Sequence, residues 1–172
     1  GHGYSQLKGN WTYEPITHFP PFLSSVLVFL NFFGLEVLRG ARFLNIILFG
    51  ANVLLSGYLS WKMTTSRLFG ILGAILFMVS TPLLIAHSFA LSEPLYLFLS
   101  YLVILSIFQY LGSGILSGRN HLRWLWLAAA GVFTSLGYLT RYMGVAIYAS
   151  SLAAVFIFNR SMSKRVKDIL IY

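Results

Sequence analysis

Cysteine is absent from the chain, which excludes a disulfide, a thiolate metal site and a cysteine nucleophile. Charge is almost as scarce. Only 9% of the 172 residues are charged and only four are acidic, whereas soluble domains carry about 25% charged residues. A chain this poor in charge cannot cover its own surface in water. Motifs are missing too: there is no Gly-rich phosphate loop with lysine, no pair of histidines at helical spacing and no Gly-x-Ser-x-Gly. Nucleotide hydrolysis and serine hydrolysis therefore have no support.

What is present is apolar. Hydrophobic residues make up 58% of the chain, aromatics 17%, and the mean hydropathy is +0.77. These values define an integral membrane protein, an all-α polytopic helical bundle with aromatics at both interfaces. A spanning helix needs about 20 mostly apolar residues. The runs 43–61, 68–86, 94–111, 124–140 and 142–158 predict about five such helices, the last two short. The run from Phe22 to Phe33 is too short to span easily, follows Pro20-Pro21 and stops at Gly34. It predicts an interfacial helix over about 20–34. Residues 1–41 then form an outer loop with that helix, and 42–168 form the transmembrane bundle. Residues 159–172 are a basic tail or the start of a further segment. Both ends read as cut from a longer chain, since the sequence opens without methionine and closes on an apolar run.

The net charge of +8 is better explained by membrane orientation than by nucleic acid. With the loop KMTTSR (62–67) inside, the cytoplasmic side holds Lys62, Arg67, Arg119, Arg123, Arg160, Lys164, Arg165 and Lys167. The outer side holds Lys8, Arg39, Arg42 and Arg141. This agrees with the positive-inside rule and places the C-terminal basic tail in the cytoplasm of a plasma membrane, most simply a prokaryotic one. The tail NRSMSKRVK also sits where anionic headgroups would attract it. Glu14, Glu36 and Glu93 fall on the outer face, together with His18 and His87.

Glu93 stands in ALSEPLYLF, between two apolar runs and beside Pro94. One reading is a helix N-terminal residue stabilised by free N–H groups and the dipole. The other is a carboxylate facing a polar cavity, because ionisable residues at membrane depth are functional by default. His18 lies in EPITHFPPF just before the double proline, which restrains its backbone. It reads as a hydrogen-bonded loop residue or as a ligand. His87 could join Glu93, but interfacial packing is the simpler reading. Arg141 in YLTRYMG and Arg42 ahead of Phe43 either snorkel to headgroups or bind a lipid-borne phosphate, whose geometry suits a guanidinium. Gly70 and Gly73 in GILGAILF read as helix-packing positions.

Five segments in order, GHGY, THFPPF, RFLNIILFGANVLLSGYL, LSEPLYLF and GYLTRYMG, resemble the membrane glycosyltransferases of the GT-C fold. The resemblance points to the dolichyl-phosphate-mannose protein mannosyltransferase group, which includes the aminoarabinose transferases. It implies a polyprenyl-phosphate sugar donor, an acceptor on the outer face and two helices lying along the membrane before the bundle. It also implies that His18 lines the site, that Glu93 matches the family's second acidic position and that Arg141 lies near the lipid phosphate. Chemistry would be direct displacement at the anomeric carbon, with a carboxylate as base or, alongside His18, as ligand of a divalent metal. One departure stands out. The family's principal acidic residue is expected upstream of GHGY, and Glu14 does not match it.

Two readings follow. In the first, the chain is a fragment of a membrane glycosyltransferase, inactive alone, with membrane lipids including polyprenyl phosphate as partners and no nucleic acid. In the second, it is a non-catalytic transmembrane subunit of a larger complex, photosynthetic or respiratory, packed against other membrane subunits. An acidic residue a few tens of positions upstream in the parent gene separates them. A small transporter has less behind it, since the helix centres hold little polar beyond Asn52, Ser56, Ser106 and Thr134.

Overall fold

In a computed structural model the described residues are 5–7, 13–15, 20–89, 91–116 and 120–158, with side chains for 20–89, 91–112 and 123–157. The architecture is an all-α membrane bundle. Its helices are α1 (Phe22–Asn31), α2 (Val37–Thr64), α3 (Arg67–Val79), α4 (Thr81–Ser88), α5 (Glu93–Leu116), α6 (Asn120–Thr140) and α7 (Gly144–Phe158). Ahead of them, where the sequence reads as loop, β1 (Ser5–Leu7) pairs antiparallel with β2 (Tyr13–Pro15), Gln6 opposite Glu14.

Among the described residues, α2 and the Glu93–Gly112 part of α5 are long and apolar enough to cross a membrane. The pair α3 and α4 makes a third candidate, broken by a 58° bend. The segment 68–86 is therefore not one straight helix. The reason is local: Pro82 lacks an N–H and its ring clashes with the carbonyl of Met78, so the helix ends at Ser80, which adopts an extended conformation. The segment 124–140 lies within α6, whereas 142–158 begins two residues before α7, which is only 15 residues long.

Helix α1 ends at Asn31, three residues before the glycine at which the sequence reading stops it. Gly34 takes φ +83° and its N–H bonds the Asn31 carbonyl at 2.9 Å, a left-handed position that glycine adopts at little cost. Helix α2 then starts at Val37, earlier than the apolar run suggests, so Arg39 and Arg42 lie inside it. Glu36 pairs with Arg39 at 3.3 Å, but both side chains are about three-quarters exposed, so the pair adds little.

Two clusters hold the bundle. Val103, Ile107, Tyr110, Leu127, Ala130 and Val155 join α5, α6 and α7. Leu48, Leu95 and Leu99 join α2 to α5, and Phe22, Leu23 and Val26 of α1 pack onto them. Helix α1 thus seats one face on the bundle while Val28, Phe29, Phe32 and Phe33 point outward. Ile46, Leu54, Leu68, Leu76 and Leu125 also face out, a surface that hydrocarbon rather than water would cover.

The α2–α3 contact is made by small residues. A Cβ on Gly57 would lie 2.9 Å from the Gly70 carbonyl, and one on Gly73 would lie 2.9 Å from Ser60 Cβ. Ser56 Oγ donates to the Gly73 carbonyl at 3.1 Å. Close backbone approach substitutes for hydrophobic drive inside a membrane. Gly73→Val is expected to lower stability by about 1–3 kcal/mol through overpacking, read by equilibrium unfolding in detergent. Adding Ser60→Gly should recover part of that loss, and no recovery would mean that Gly73 acts elsewhere.

Candidate functional site

The start of α5 is the feature around which the polar groups gather. Glu93 is the first residue of α5, so its carboxylate lies at the positive end of the helix dipole. The sequence reads this place as the mouth of the bundle, but α5 starts deeper. Leu95 and Leu99 pack on Leu48, and Asn52 Nδ2 donates to the Pro94 carbonyl at 3.1 Å. Asn52 lies well into the 28-residue α2, roughly 20 Å along its axis at 1.5 Å per residue. Glu93 therefore sits recessed beside the middle of α2.

Glu93 and Arg141, distant in sequence, form an ion pair through Oε1 and a guanidinium nitrogen, each side chain about one-third exposed. The other oxygen, Oε2, is buried and has no hydrogen-bond partner. Arg141 is delivered by the turn joining α6 to α7: its N–H bonds the Gly137 carbonyl at 3.0 Å, and its own carbonyl accepts from Gly144 at 2.8 Å. Gly144 is required there, because a Cβ would come within 2.6 Å of the Tyr138 backbone. Tyr96, one turn beyond Glu93, donates through its hydroxyl to the Met143 carbonyl at 3.3 Å and ties the turn to α5.

Beneath Glu93 lies a buried polar clamp. The Leu83 carbonyl can only accept, so His87 Nδ1 carries the proton that bonds it at 2.7 Å. In the neutral ring Nε2 then accepts, and Asn52 Nδ2 donates to it at 3.2 Å. Asn52 spends its second amide hydrogen on Pro94, so one fully buried side chain links α2, α4 and α5. The rings of Phe49 and Phe77 meet the imidazole edge-on at 5.2 and 5.8 Å between centroids. Asn45, also buried, donates to the Phe89 carbonyl and holds the segment leading to Glu93.

Of the residues singled out in the sequence, Glu93 and Arg141 come together. Arg42 is exposed on α2, and among the described residues no ion pair joins it to either of them. His18 lies outside the described residues. Among the described residues no three His, Asp or Glu side chains converge. The guanidinium already neutralises Glu93, a poor setting for a divalent cation on the same carboxylate. Sequence reasoning noted Asn52 without a role and passed over Asn45: two amides seven residues apart share one face of an apolar helix, with Leu48 and Leu59 buried on the same stripe.

The geometry defines a membrane helical bundle with a carboxylate–guanidinium pair, and the comparison of sequences supplies its glycosyltransferase class. The sequence model described as dolichyl-phosphate-mannose-protein mannosyltransferase matches residues 22–169. The chain belongs to that family. Searches of curated proteins and of solved structures each give no match.

The clamp yields a stability prediction. Asn52→Leu leaves a buried carbonyl and an imidazole nitrogen without donors and should cost about 1–3 kcal/mol, measured by unfolding in detergent. Combining it with His87→Ala should cost less than the two single losses added, because both remove the same bond. Strict additivity would show that the two side chains act separately.

Proposed function

We propose that the chain forms the donor-binding part of a membrane glycosyltransferase of the GT-C kind, moving a sugar from a polyprenyl-phosphate donor to an acceptor on the outer face of a prokaryotic plasma membrane. Family membership supports the reaction class and implies a polyprenyl-phosphate-linked donor. The observation that carries the assignment of residues is the divided carboxylate of Glu93, one oxygen on Arg141 and the other buried with no donor. A buried acceptor without a partner costs free energy that an incoming hydroxyl would recover.

In this reading the acceptor oxygen attacks the anomeric carbon as the bond from that carbon to the phosphate oxygen breaks. The hydroxyl proton passes to Glu93 Oε2, and the phosphate departs with its negative charge beside Arg141. Guanidinium donors match two phosphate oxygens at once, which suits Arg141 to that place. Tyr96 and the Gly144 turn hold Arg141 in register. His18 is assigned to the lining of the same centre, and Arg42 to the headgroup level. No step is routed through a metal. The basic residues support the orientation, with Lys62 and Arg67 at the end of the bundle away from Glu93.

In the full-length gene product, Glu93→Gln should reduce transfer by about 100-fold or more, the range of a lost general base. Expression and thermal stability should hold, because a partly exposed ion pair contributes at most about 1 kcal/mol. Arg141→Lys should raise KM for the lipid donor more than it lowers kcat. Unchanged transfer in Glu93→Gln would leave Glu93 as a helix-end residue and remove the proposal.

A further inference from the structure

The end of the bundle remote from Glu93 holds a second feature that glycosyl transfer does not use. Helices α2 and α3 enclose a cleft of about 480 Å³ lined by Gly57, Tyr58, Trp61, Arg67, Gly70 and Ile71. Its floor is backbone. Gly70 sits so close to α2 that a Cβ there would lie 2.9 Å from Trp61 Cβ, so the two helices touch at the glycines and the rings stand up as walls. Tyr58 and Trp61 meet edge-on at 6.0 Å between centroids. Lys62 places its ammonium 5.9 Å from the centre of the Tyr58 ring, and Arg67 opens α3 on the other side.

Lys62 and Arg67 are exposed, and no ion pair involves either of them among the described residues. Of the acidic side chains that the structure describes, Glu36 precedes α2 at its far end and Glu93 begins α5 beside the middle of α2, away from the Lys62 turn. Among the described residues the cleft is thus positive, with no carboxylate beside it.

We infer that this cleft binds the headgroup of an anionic glycerophospholipid, its phosphate held between Lys62 and Arg67 and its glycerol end against Tyr58 and Trp61. The cleft is complementary to such a headgroup in two ways. Guanidinium and ammonium donors suit a phosphate, while Tyr and Trp favour headgroup depth, where a ring can be half wet. The surroundings are apolar: Met63, Leu68 and Ile71 are more than half exposed, and Trp61 is 42% exposed. A lipid would cover these groups along its upper chain, whereas a free phosphate would gain nothing from them. The inference stands apart from the role of Glu93 and survives if that role is wrong.

The test uses Trp61 as its own reporter. In the full chain, Trp11, Trp124 and Trp126 are changed to Phe, and the protein is placed in nanodiscs of neutral phosphatidylcholine. Brominated phosphatidylglycerol or brominated phosphatidylcholine is then titrated in. Half-quenching of Trp61 is expected at an about thirtyfold lower fraction of the anionic lipid, as two basic residues at a membrane surface imply. The pair Lys62→Gln with Arg67→Gln should erase that preference. Equal quenching by the two lipids, or a preference that survives in the double variant, would overturn the inference. So would recovery of Trp61 emission on adding inorganic phosphate, which would make the cleft a free-phosphate site. If the tryptophan-reduced chain does not fold, native mass spectrometry of the unaltered chain decides the matter. Phosphatidylglycerol retained by it and lost by the Lys62→Gln, Arg67→Gln variant supports the site, and equal retention defeats it.

Discussion

A single buried amide organises the half of the molecule where Glu93 lies. Asn52 sits in the middle of the longest helix, has no contact with solvent, and divides its two hydrogens between His87 on α4 and the Pro94 carbonyl on α5. A polar group in that position is costly unless bonded, and inside an apolar bundle there is no water to replace a lost partner. The geometry is therefore tightly specified. Helix α4 must present its imidazole and α5 must begin beside Asn52 for the amide to be satisfied.

The broken helix follows from the same constraint. An uninterrupted span from Arg67 would carry residues 81–88 straight on along α2. Pro82 ends α3 at Ser80, the chain turns by 58°, and the bend brings His87 between Phe49, Phe77 and Asn52. The return through Phe89, held by Asn45, delivers Glu93 to a recessed position instead of to the rim. A proline that looks like a blemish in an apolar run is thus what allows a carboxylate to be set at depth. Arg141 then meets it because Gly144 lets the α6–α7 turn close against Tyr138.

The two ends of the bundle differ in kind. Around Glu93, charges of both signs are paired and partly withdrawn from solvent, the condition in which electrostatics is strong and directional. At the Lys62 end the cations are exposed, with no ion pair among the described residues, beside aromatic rings. That arrangement suits a surface of lipid headgroups rather than a reaction. The small-residue contact of α2 with α3 lies next to the Lys62 end and brings the two helices together there.

Much was legible without coordinates. Composition alone determined a membrane bundle, because 9% charge cannot solvate a surface. Local chemistry determined the turn at Gly34 after α1 and the packing role of Gly70 and Gly73, since a left-handed turn and a close helix approach each demand a residue without a side chain. The order of short segments determined the family. Tertiary structure decided what depends on residues far apart in the chain. It decided that Glu93 faces Arg141, that α5 starts beside the middle of α2, and that Asn52 and His87 share a hydrogen bond across 35 positions. Periodicity reports which face of a helix is buried but not against what, so partners across helices are fixed only when the whole bundle packs.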